Sequence, residues 1–93
     1  AYESNLQIVE RVCLDELTKI IEENDQAVTT RQPLFLFTEF GDSNINFLVK
    51  IRAVNRRDVG SLKHIVIKRL HQRLDDENIV INYPARRILI DKD

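Results

Sequence analysis

Between Asn5 and Glu23 the apolar residues Leu6, Val9, Cys13, Leu17 and Ile20 recur at three- and four-residue spacing, and Ile8, Val12 and Ile21 widen the stripe. Glu10, Asp15, Glu16 and Glu22 are read as staying off it, so the pattern predicts an amphipathic helix with an acidic outer side. Ser4 or Asn5 can cap its first turn, because a short side-chain oxygen accepts from amides that have no helical partner. The polar stretch Asn24 to Gln32 predicts a surface loop. Pro33, which lacks an amide and constrains its predecessor, requires the helix to have ended.

Two strands follow. In Ile45 to Ala53 the residues Ile45, Phe47, Val49, Ile51 and Ala53 alternate with Asn46, Leu48, Lys50 and Arg52, which predicts one buried and one polar face. Leu34 to Phe40 is apolar on both sides, so the direction of Phe35 and Phe37 stays open. Gly41, Asp42 and Ser43, with Asn44, tolerate positive φ or cap a turn with their side chains, and they predict the hairpin connection.

A second amphipathic helix is predicted from about Asp58 to Glu77, with Val59, Leu62, Val66, Leu70 and Leu74 on its stripe, and Asn78 is suited to a left-handed stop. Ile79-Val80-Ile81 begins a strand, Pro84 interrupts it, and Arg86 to Ile90 resumes in extended form. The order lacks only a first strand to make β-α-β-β-α-β. The expected fold is therefore α+β, a ferredoxin-like split sandwich whose first strand survives only as Ala1-Tyr2-Glu3. Residues 1–84 form the domain in this reading, and 85–93 a terminal strand or tail.

Composition narrows the function classes. Ninety-three residues suit one domain, and the longest uninterrupted apolar run, Leu34-Phe35-Leu36-Phe37, is far short of a membrane span. No secretory leader pattern is visible, and the single Cys13 cannot make an internal disulfide or a thiolate zinc site, which fits a reducing compartment. The net charge of −1 is unevenly distributed. Ala1 to Gln26 holds seven acids against Arg11 and Lys19, while Lys50 to Arg73 holds eight bases against Asp58 alone.

That basic stretch is the one feature with a live functional reading: Arg56, Arg57, Lys63, Lys68, Arg69 and Arg73 form a candidate interface, or an ordinary solvated helix face. Nucleic acid is not the expected partner, because no aromatic residues interleave with the bases. His64 and His71 are two turns apart, too far to chelate one ion from one helix. Cys13 sits on an apolar stripe, where a thiol acts as a small hydrophobe. Asp75, Asp76 and Glu77 point about 100° apart around a helix and do not converge. No catalytic centre, metal or cofactor is expected.

Three stretches carry a resemblance over essentially the whole chain: Ala-Tyr-Glu-Ser-Asn before the first helix, Leu-Phe-Thr-Glu-Phe-Gly-Asp-Ser-Asn-Ile-Asn-Phe across the hairpin, and Ile-Asn-Tyr-Pro-Ala-Arg-Arg-Ile near the end. They resemble the carboxy-terminal cytoplasmic domain of the small-conductance mechanosensitive channel (MscS) family, most specifically in Phe37 to Phe47. The resemblance implies a homo-heptamer of identical subunits, anchored by membrane segments elsewhere in the parent chain. Its cytoplasmic parts enclose a vestibule crossed by ions or osmolytes below the pore of an inner or plasma membrane channel. It also maps Arg86, Arg87, Ile88, Leu89 and Ile90 onto an assembly strand, with Tyr83-Pro84 as the elbow before it. Ala85 and Leu89 depart from the family pattern, where Gln and a polar residue are common. A ferredoxin-like small-molecule regulatory module and an RNA-binding module are the rival expectations.

Overall fold

The computed structural model describes residues 6–40, 45–79 and 86–92. In order along the chain they form helix α1 (Leu6–Glu23), strands β1 (Leu34–Phe40) and β2 (Ile45–Ala53), a 3-10 turn (Arg56–Asp58), helix α2 (Val59–Asp76) and strand β3 (Arg86–Lys92). β1 and β2 are antiparallel, with Phe35 opposite Val49 and Phe37 opposite Phe47, and a bulge between Phe37 and Glu39 shifts the register. β2 and β3 run parallel, with Phe47 opposite Arg86 through to Ala53 opposite Lys92.

Both helices lie on one side of this sheet, α1 against β1 and α2 against β3. The core fills the space between the layers. Val9, Cys13, Leu17 and Ile20 from α1 and Leu62, Val66, Leu70 and Leu74 from α2 meet Phe47, Val49, Ile51 and Ala53 from β2. The alternation in β2 thus predicts its buried face, since a one-residue slip would carry Lys50 and Arg52 inward. Packing also decides the open question in β1: Phe35 is buried and stacks on Phe47 at 5.0 Å, and Phe37 meets the edge of Phe35 at 5.0 Å. Leu34 and Leu36 are thereby left outside.

α2 ends as Asn78 requires. This residue has φ of 60°, Ile79 N–H donates to Leu74 O, and Asn78 N–H donates to Asp75 O. Together these close a Schellman motif that satisfies carbonyls of the last turn. At the end of α1 the Asn24 Nδ2 donates to Ile20 O at 2.8 Å.

One expectation differs from the structure. The stretch after α1 is not simply a surface loop: Ala27 is buried and bridges Ala53, Val28 N–H donates to Arg52 O, and Val54 N–H donates to Gln26 O. These bonds satisfy backbone groups of β2 where it extends past the end of β1. The class is α+β as expected, with a three-stranded sheet in the order β1-β2-β3, and the first strand and Val80-Ile81 of the expected split sandwich lie outside the described residues. Of the terminal strand or tail expected over 85–93, residues 86–92 form the strand β3. They occupy the edge of β2, where parallel pairing satisfies backbone groups of both strands and Ile90 reaches the core. The expected cap at Ser4 or Asn5, the turn residues Gly41, Asp42 and Ser43, the strand residues Val80 and Ile81, and the Tyr83-Pro84 elbow lie outside the described residues.

Candidate functional site

The basic residues singled out in the sequence divide into two groups with different surroundings. Arg69 and Arg73, one turn apart on α2, turn toward the acids of α1. Arg69 Nε donates to Glu16 Oε2 at 2.7 Å and its Nη1 to Glu23 Oε1 at 2.9 Å. Arg73 Nη1 donates to Asp15 Oδ2 at 2.8 Å and to Glu16 Oε1 at 3.1 Å, while its Nε donates to Glu77 Oε2 at 3.0 Å. Each carboxylate oxygen of Glu16 therefore faces a different guanidinium. The planar arginine fork makes such sharing possible, which a lysine at either place could not reproduce.

Glu16 is the buried charged residue of the described structure, with 7% of its surface exposed. The sequence pattern read it as outside the apolar stripe, yet it lies one turn after Val12 and one turn before Ile20, both of which are buried. That spacing was the available signal, and the two arginines four residues apart on α2 were its complement. The hydrogen bond from Arg73, reinforced by Lys19, holds the Asp15 carboxyl below its ordinary value. Bonding to Glu16 raises the pKa of Arg69, and bonding to Asp15 and Glu77 raises that of Arg73.

Arg56, Arg57, Lys63 and Lys68 are exposed and form no ion pair among the described residues. They are spread over the 3-10 turn and the outer side of α2, so the structure does not gather all six bases into one site. His64 and His71 are both exposed, and no group of three metal-ligating side chains occurs among the described residues. Cys13 is fully buried. Asp76 accepts from Gln72 and Glu77 from Arg73, so the acids at the end of α2 serve separate local bonds. Of Arg86, Arg87, Ile88, Leu89 and Ile90, all five belong to β3, and the Ile90 side chain is buried.

The sheet face turned away from the helices carries Leu34, Leu36 and Thr38 from β1 and Leu48, Lys50 and Arg52 from β2. Leu36 stands directly opposite Leu48, and Leu34 opposite Lys50. Leu36 is 49% exposed and Leu34 39%. Lys50 Nζ is 3.0 Å from Asp91 Oδ2, which draws the Asp91 carboxyl below its ordinary value. Open hollows also lie on the described surface. One, of about 350 Å³, lies at the end of α1 between Glu22, Asp25, Val28 and Val54, and another, of about 470 Å³, between Arg56, Val59, Ile90 and Lys92. Neither brings a nucleophile and a base together.

Among the described residues no helix is long and apolar enough to cross a membrane. Residues 1–81 match the family model described as the C-terminal part of the mechanosensitive ion channel MscS. An uncharacterized MscS family protein, slr0639 of Synechocystis sp., is 33% identical over 69 residues, which is 74% of this chain and 23% of the relative. The matched segment thus spans about a quarter of that protein. No solved structure matches the chain.

Proposed function

The chain belongs to the MscS family of mechanosensitive ion channels, through that family's C-terminal domain, and we propose that it serves as the cytoplasmic vestibule domain of such a channel. The observation that carries this reading is the family match across 81 of the 93 residues. The form of the domain supports it. Its two helices are joined by a shared ion cluster over a continuous apolar core, while the acids and histidines among the described residues do not converge on a reaction centre. Such a unit is suited to bearing load and to lining an aqueous space.

In this reading identical subunits, seven in the expected assembly, surround an antechamber below the pore. Membrane segments elsewhere in the parent chain sense tension and conduct. The unpaired Arg56, Arg57, Lys63 and Lys68 give the antechamber wall a positive field that acts on passing ions and osmolytes over roughly 8 Å at physiological salt. Among the described residues β3 is at the edge of the sheet, a position suited to pairing between copies, and this supports Arg86 to Ile90 as the assembly strand.

The test is expression of the full-length parent in a bacterial strain stripped of its mechanosensitive channels. Survival of hypo-osmotic shock, tension-activated currents in membrane patches and a purified assembly with the mass of seven subunits are expected. An assembled, membrane-inserted protein that neither rescues nor conducts would overturn the reading.

A further inference from the structure

Among the described residues nothing covers the outer face of the sheet, which presents an apolar centre with a basic end. Leu36 and Leu48 are opposite one another, Leu34 adjoins them, and Lys50 and Arg52 follow along β2. Isolated exposed leucines are ordinary on a protein surface, but here they form a contiguous patch on a flat face. Lys50 lies 3.0 Å from Asp91, and Arg52 stands opposite the same residue and helps to lower its carboxyl, so two bases share one acid and this end keeps a net positive charge.

The other side of the molecule carries a ridge of opposite character. Glu10, Leu14, Thr18 and Glu22 follow one another on α1 at four-residue intervals, which aligns them along the helix. Glu10 and Glu22 form no ion pair among the described residues, unlike Asp15, Glu16 and Glu23, which are engaged by Arg69 and Arg73. Leu14 is half-buried between them. The ridge thus offers an apolar middle flanked by carboxylates, and the sheet face offers an apolar middle beside two bases that share one acid.

The geometry points to an interface between copies of this chain in which the outer sheet face of one, centred on Leu36 and Leu48, docks on the α1 ridge of the next. The complementarity between this net positive end, where Lys50 and Arg52 share Asp91, and the carboxylates of Glu10 and Glu22 selects a second copy as the occupant. The contact joins two different surfaces, so it repeats head to tail and closes into a ring when the rotation permits. This inference rests on the channel reading and names the surface by which its subunits meet.

Within one copy the sheet layer separates Leu36 from Thr18, and packed layers lie about 10 Å apart, beyond the reach of a disulfide. The full-length protein carrying Leu36→Cys and Thr18→Cys is therefore oxidised in membranes and its mass read on a denaturing gel. Both positions are exposed, and the native Cys13 is fully buried. A ladder of cross-linked subunits that neither single-cysteine variant forms is expected, together with at least a tenfold loss of assembled protein for Leu36→Asp. An assembled channel that survives hypo-osmotic shock with Leu36→Cys open to maleimide, or cross-linked only within its own subunit, would overturn the interface and leave the channel reading standing. Assembly with the ladder but without channel activity would have the reverse meaning.

Discussion

Glu16 on α1 and Arg69 on α2 are joined at 2.7 Å across the seam between the helices, with the carboxylate side chain only 9% exposed and the guanidinium 33% exposed. Arg73 takes the other carboxylate oxygen. The pairing limits how far the two helices can slide past one another, since a shift of one turn would leave one oxygen of the buried Glu16 carboxylate without its guanidinium. Apolar side chains along the same seam would tolerate such a shift more readily, because dispersion and burial have no strict direction.

Removing one member of this cluster should cost more than removing a surface pair. Glu16→Ala leaves two partly buried guanidinium groups short of an acceptor, and a loss of about 2–4 kcal/mol is expected. Lys19→Ala, at a side chain 51% exposed whose partner Asp15 keeps its bond to Arg73, should change stability by less than about 0.5 kcal/mol. Urea melts of the two variants check the contrast, and equal losses would contradict the seam.

The depressed carboxyls predict the acid limb of stability. In the unfolded chain Asp15 and Asp91 regain their ordinary value of 3.8, while Arg73 and Lys50 hold them lower in the folded state. The unfolded state therefore takes up protons first as the pH falls. Their contribution is complete above the unfolded value and is lost as the pH drops through the folded one. The urea midpoint should decline below about pH 4 on this basis, and less steeply in Arg73→Gln, which releases Asp15. An acid limb of unchanged slope in that variant would assign the loss to other groups.

Phe47 is 2% exposed and stacked on Phe35, so Phe47→Ala should cost about 3–5 kcal/mol as a truncated core aromatic. Lys68→Ala, on the exposed side of α2, should stay within about 0.5 kcal/mol. Similar small shifts in denaturant midpoint for both would show that the inner face of β2 had been misassigned.

Because β3 pairs with β2 along seven positions, ending the chain after Ala85 should destabilise the fold rather than spare it. The truncation uncovers the edge of β2 and removes Ile90, which is 8% exposed. Ile90→Ala alone should cost about 2 kcal/mol. Hydrogen exchange on β2 amides provides the check: faster exchange is expected in the shortened chain, and unaltered protection would mean that β3 contributes no pairing there.

The local patterns were enough for both helices, the hairpin strands, the buried face of β2 and the left-handed stop at Asn78, because each depends on periodicity or on a single residue's backbone preference. The family was legible for a related reason, since its signature lies in contiguous stretches such as Phe37 to Phe47. Three matters required the tertiary structure. The direction of Phe35 and Phe37 was undecidable where both faces of β1 are apolar, and stacking on Phe47 settled it. The burial of Glu16 depended on two arginines more than fifty residues away, a partnership that no local count of polar positions can reveal. The place of β3 turned on the unpaired backbone edge of β2, and hydrogen-bonding groups on a strand edge accept any strand of suitable register, so the sequence of residues 86–92 alone could not say which edge it would join.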